Sequence, residues 1–162
     1  MASETGPAKR RVARPSSAAV RRKGLALAIE ALRGAGLRAD PPSKDVPADL
    51  MVAGPSRRSV LVSVLTAAAP HRRGGRGSLG LHWMLRDTAA DFIALVDLSR
   101  ERGWLIPAAD FRARAQPLSD GRFHLDWIVV PLGRTRTQVP DEEEFAPYAY
   151  GRALPELVRR LG

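Results

Sequence analysis

Ser59-Val60-Leu61-Val62-Ser63-Val64-Leu65-Thr66 is the stretch that decides the fold. Six of its eight residues are aliphatic or β-branched groups without a helical period, and Pro55-Ser56 and Pro70 bracket the region. Such a run reads as a central strand covered on both faces. Upstream, Ala48–Ala53 reads as a short neighbouring strand that ends at Gly54-Pro55-Ser56. Further upstream, Leu25, Ala28, Ile29, Leu32 and Ala35 recur at spacings of three and four. They predict an amphipathic helix over Arg22–Gly36, stopped by Gly34 and Gly36. Leu37–Val46 carries turn chemistry through Asp40-Pro41-Pro42.

Downstream, Pro70–Gly80 is rich in Gly and Arg and is expected to be a loop, with Leu81–Met84 as a strand end or short helical turn. Ala89–Asp97 reads as a second buried strand, and Arg102–Pro107 as its hairpin partner across Leu98–Glu101. Ala108–Ala115 is expected to be a short helix, Phe123–Val130 a late strand and Gly151–Leu161 a terminal helix. Trp83, Trp104 and Trp127 are expected in the core or at an interface, and Asp141–Glu144 as a solvated approach to the terminal helix. The order is that of an α/β chain with a mixed central sheet. It divides into a disordered basic arm over 1–22, an α/β core over 23–115 and a C-terminal extension over 116–162 that packs on the core.

Charge is placed unevenly. Lys9, Arg10, Arg11, Arg14, Arg21, Arg22 and Lys23 face only Glu4, so this segment supplies +6 of the formal net charge of +9. Only three of the 26 basic residues are lysines, an Arg bias that codon usage can produce by itself. With no cysteine, disulfides and thiolate metal sites are excluded. No apolar run is long enough to span a membrane, and the Arg-rich N-terminus lacks the apolar core of a secretory signal. The default expectation is a cytoplasmic protein. His71, His82 and His124 show no paired ligand spacing, so no metal site is expected from the histidines. Arg72-Arg73-Gly74-Gly75-Arg76-Gly77 lacks the Lys-Ser/Thr ending of a phosphate-binding loop.

Several pieces, in order, resemble the PD-(D/E)XK nuclease superfamily, whose fold is the restriction-endonuclease-like α/β domain. Gly24, Leu32, Gly36 and Leu37 keep the spacing of its first helix. Ala48-Asp49-Leu50-Met51-Val52 matches the strand that begins with an Asp, and Leu61-Val62-Ser63-Val64-Leu65-Thr66 matches the following strand of the form hydrophobic-x-Val-(Glu/Gln)-Val-Lys-Thr. Ala90-Asp91-Phe92, Val96-Asp97-Leu98 and Pro107-Ala108 follow in the family's order, so the likeness runs from about Gly24 to Phe111. In active members the Asp and Glu hold Mg²⁺, which activates water, and the Lys stabilises developing charge.

Here the resemblance leaves only Asp49 in place as a candidate catalytic residue. Ser63 stands for the Glu, Leu65 for the Lys and Leu25 for the helix glutamate. One carboxylate is a poor anchor for a hard cation, and a leucine supplies no charge. Relocated ligands would have to come from Glu30, Asp45, Asp91 or Asp97, with Arg57 or Arg58 supplying charge. The resemblance therefore implies a nuclease-derived, catalytically inactive nucleic-acid-binding protein, with DNA ahead of RNA as the partner and no cofactor expected. Its contacts to phosphates would come from Lys9, Arg10, Arg11, Arg14, Arg21, Arg22, Lys23, Arg57, Arg58, Arg72, Arg73 and Arg76. The alternatives are a subunit or scaffold of a larger assembly, a nucleoprotein one included, and a Mg²⁺-dependent endonuclease with relocated residues.

Overall fold

A computed structural model describes residues 15–73, 78–130 and 139–162. Lys9, Arg10, Arg11, Arg14 and Arg76 lie outside the described residues. The first helix, α1, spans Ser17–Gly34. It begins before the expected Arg22, so Ser17–Arg22 belong to the helix and not to an arm. The reason is local: Ser16 caps it by accepting a hydrogen bond from the Ala19 amide at 3.2 Å, and Ala18-Ala19 are strong helix formers. Arg21, Arg22 and Lys23 sit on its exposed face, where a charge run does not oppose helix formation. Gly36, at φ 88°, turns the chain out of the helix, a left-handed conformation that glycine adopts without strain.

Among the described residues, nine strands form two sheets. Strands β1 (Arg38–Asp40), β2 (Leu50–Ala53), β3 (Ser59–Ala67), β6 (Phe92–Asp97) and β7 (Arg102–Pro107) make the central sheet in the order β1-β2-β3-β6-β7. Its β3–β6 pair is parallel and its other pairs are antiparallel, so the sheet is mixed, as the sequence implies. All six residues of β6 are buried, which explains its unbroken apolar run. The second sheet is antiparallel, in the order β4-β5-β9-β8, from β4 (His71–Arg73), β5 (Ser78–Leu85), β9 (Phe123–Val130) and β8 (Gln116–Pro117).

This second sheet corrects the reading of Pro70–Gly80 as loop at 71–73 and 78–80, residues 74–77 lying outside the described residues. Leu81, Trp83 and Leu85 alternate inward while His82 points outward, a period of two that Gly- and Arg-rich flanks obscure.

The central sheet buries both faces. On one side α1 and the C-terminal helix α3 (Tyr150–Leu161) cover it, with Ala28, Leu32, Val52, Val62, Leu154 and Leu157 in the shared core. On the other side lies the second sheet with α2 (Ala108–Arg114) and a 3-10 helix over Glu142–Tyr148. Trp83, Trp104 and Trp127 pack there with Phe145, the closest ring centroids being 4.4 and 4.9 Å apart. The three tryptophans therefore belong to the core and do not form a surface platform.

The acidic run is not a solvated approach at Glu142. Its carboxylate accepts a two-pronged pair from Arg100 at 2.6 and 3.0 Å, and Arg100 also holds the fully buried Asp97 at 2.5 Å. The bond to Glu142, opposed by burial and reinforced by Asp97, raises the Arg100 pKa above its ordinary value. This network ties the C-terminal segment to the β6–β7 hairpin.

Candidate nucleic-acid cleft

The chain direction of β2 and β3 brings Asp49 beside the middle of β3. The Asp49 amide donates to the Val62 carbonyl at 3.0 Å, and the Asp49 Oδ2 accepts from the Val64 amide at 2.7 Å. One carboxylate oxygen of Asp49 thus holds the strand. Ser63 and Leu65 lie two apart on β3, and so share a face. Gly24 of α1 presses on the next residue, Thr66: a Cβ at position 24 would overlap the Thr66 side chain. The glycine in the resemblance is therefore required by close helix–strand packing.

Ser63 is buried, with its Oγ 2.7 Å from Thr88 Oγ1. Thr88 donates to the Pro47 carbonyl at 2.8 Å and accepts from the Ala90 amide at 3.1 Å. A threonine hydroxyl carries one proton. Since that proton goes to Pro47, Ser63 must be the donor to Thr88. The polar atoms at this spot close on one another, proton by proton.

These residues do not fit a resident hard divalent cation. Such an ion needs several oxygen ligands with charge among them. Here one Asp49 oxygen is committed to Val64, the Ser63 hydroxyl is committed to Thr88, and Leu65 offers no donor.

The relocated carboxylates do not repair the site. Asp91 Oδ2 accepts from the Leu61 amide at 2.8 Å. Asp97 caps the hairpin turn through the Ser99 amide and hydroxyl at 3.1 and 2.9 Å, besides its pair with Arg100. Glu30 lines a separate hollow with Leu27 and Tyr150, and Asp45 is exposed outside the cleft.

A cleft of about 730 Å³ opens over Asp49, Ser63 and Leu65 and runs to the β5 residues His82 and Leu85. Its charged lining is Arg21 and Arg86 against Asp49 and Asp87. Of the twelve predicted phosphate-contacting cations, the described structure brings Arg21 alone into this cleft. Arg22 and Lys23 follow on the exposed face of α1. Arg57 and Arg58 sit in the β2–β3 turn, and Arg58 is five residues from Ser63 along an extended chain, roughly 16 Å away. Arg72 and Arg73 lie on the edge strand β4. Arg86 escapes a reading of the sequence because it stands alone in Leu85-Arg86-Asp87, outside any basic run.

A second polar group lies on the outer face of the second sheet. In the β5–β9 register His82 is directly opposite Asp126, and His124 is two residues before Asp126 on the same face. The three donor atoms converge: His82 Nδ1 to Asp126 Oδ1 is 2.9 Å, His124 Nε2 to the same oxygen 2.8 Å, and the two nitrogens are 2.6 Å apart. The spacing His124-x-Asp126 in a strand places two of them on one face, but their partner on β5 is visible only once the strands pair.

A solved structure of a bacterial homing endonuclease, I-Ssp6803I, superposes with a TM-score of 0.60, over 91% of this chain and 94% of that one, at 15% sequence identity. At that identity the likeness is one of fold: this chain has a nuclease-like α/β fold. No protein-family model matches the chain, and no curated protein matches it. Among the described residues no helix is long and apolar enough to cross a membrane.

Proposed function

We propose that the protein is a nuclease-derived nucleic-acid-binding protein that does not hydrolyse phosphodiesters through the cleft around Asp49. The observation that carries this reading is the cleft itself. It lies on a nuclease-like fold, yet its floor is a closed hydrogen-bond network of Ser63, Thr88 and Pro47 with one carboxylate turned to the backbone. Arg21 and Arg86 remain at its wall and supply the charge that attracts a phosphate backbone. Arg22 and Lys23 extend this charge along α1, and Lys9, Arg10, Arg11 and Arg14 precede it in sequence. Duplex DNA is the partner that best fits the homing-endonuclease likeness in fold.

Binding of this kind is dominated by counterion release, so affinity falls steeply with salt. The test is a salt titration of binding to a short duplex, followed by fluorescence anisotropy. Arg21→Ala with Arg86→Ala should weaken binding and reduce the slope of log affinity against log salt by about 1 to 2, since each arginine neutralises one phosphate. Lys9, Arg10, Arg11 and Arg14 changed together to Ser should reduce the slope further. No binding to single- or double-stranded DNA or RNA at low salt would refute the proposal.

A further inference from the structure

We infer that His82, His124 and Asp126 form a binding site for one divalent first-row transition ion, zinc being the representative case. Counting protons leads there. With Asp126 ionised, as a carboxylate is at neutral pH, protons for the three contacts can come only from the two ring nitrogens. An imidazole nitrogen carries either a proton or a lone pair, never both. If both nitrogens are protonated, two N–H groups face each other across 2.6 Å. If one is protonated, the lone pair of the other faces the carboxylate oxygen at 2.8 or 2.9 Å. If neither is, all three contacts are repulsive. While Asp126 is ionised, no assignment of protons satisfies the triangle. A cation that receives all three lone pairs does.

The dimensions agree. With metal–ligand bonds of about 2.1 Å, two ligands at a right angle lie about 3.0 Å apart, and two at the tetrahedral angle about 3.4 Å. The three separations here, 2.6 to 2.9 Å, are nearer the right-angled case. That arrangement places the protein ligands on one face of the ion and leaves further positions for water or another small oxygen donor. The side chains are 42%, 22% and 12% exposed for His82, His124 and Asp126, so solvent reaches the group. Two imidazoles and a carboxylate suit zinc, iron, nickel or copper, whereas Mg²⁺ prefers oxygen alone. The ligands come from paired strands with a fixed register, so two of the three are set by one cross-strand pair. The site uses neither Asp49, Ser63 nor Thr88, although His82 also stands at the end of the cleft, and zinc binding can be measured without nucleic acid.

The experiment is titration calorimetry of the chelator-treated full-length protein with Zn²⁺, paired with the visible absorption spectrum of the Co²⁺ form. One equivalent of Zn²⁺ should bind saturably in the micromolar range or tighter, and millimolar Mg²⁺ should give no heat of binding. Loss of an outer hydrogen-bond partner typically costs 10- to 100-fold in metal affinity, so loss of a ligand in His82→Ala or His124→Ala should cost at least about 100-fold. Circular dichroism confirms that each variant is folded, and His124→Gln serves if His124→Ala is not. His71→Ala should bind as the parent does. Absence of saturable Zn²⁺ binding in the parent overturns the inference. So does binding that survives in the His82→Ala, His124→Ala double variant, or that is abolished in His71→Ala.

Discussion

At the cleft floor Thr88 gives its proton to Pro47 and receives one from Ser63, while on the outer face of the second sheet His82, His124 and an ionised Asp126 meet with no proton count that works. Both groups consist of three polar side chains or carbonyls, the first gathered from β3 and two connecting segments and the second brought together by strand pairing. The first is complete without a ligand, and every polar atom in it has a matching partner. The second is the group inferred to take a cation. Proximity of polar residues is therefore a weak sign of function by itself; the balance of donors and acceptors separates a structural knot from a site. The position where the resemblance points to a metal is tied up in hydrogen bonds, and the inferred metal site lies where there is no such resemblance.

The closed networks should be costly to break and indifferent to metal. The largest effect is expected in the Asp97–Arg100–Glu142 network, because Asp97 is fully buried and Arg100 is its charged partner. Arg100→Met leaves that carboxylate in the interior with the Ser99 contacts alone, and should cost about 3 kcal/mol, the range seen when one partner of a buried pair is removed. Urea denaturation followed by tryptophan fluorescence measures it. A cost near zero would mean that water replaces the guanidinium and that the network is not closed.

A smaller effect is expected at the cleft floor. Thr88→Val preserves shape but removes the hydroxyl that serves Ser63, Pro47 and Ala90. It should cost about 1 to 3 kcal/mol, the penalty for leaving partly buried partners unmatched. It should leave Zn²⁺ affinity unchanged. Coupled loss of stability and zinc binding in this variant would show that the inferred metal site depends on the cleft floor.

Much of the fold was legible because its signals are local. The unbroken apolar run of β3, the β6–β7 pair across Leu98–Glu101, and the three-and-four spacing of α1 each report a single element. The family resemblance pointed to Asp49, Ser63 and Leu65, and the fold does bring these together in one cleft. What escaped depends on contacts between distant segments. The alternation of Leu81, Trp83 and Leu85 sits beside a Gly- and Arg-rich stretch, which masks the start of β5. His82 and His124 are 42 residues apart and become neighbours only through the β5–β9 register. The cations are scattered for the same reason: Arg57 and Arg58 stand near Asp49 in sequence, yet the β2–β3 turn carries them to the far end of the sheet. Arg86, an isolated basic residue, reaches the cleft instead.

The proposed function requires that the cleft around Asp49 carries no metal-dependent cleavage. The most direct measurement is incubation of the full-length protein with supercoiled plasmid and with single-stranded DNA, in Mg²⁺ and separately in Mn²⁺, followed by gel analysis. The account predicts that both substrates remain intact at protein concentrations that retard them in the gel. Metal-dependent cleavage that disappears in Asp49→Ala would contradict it.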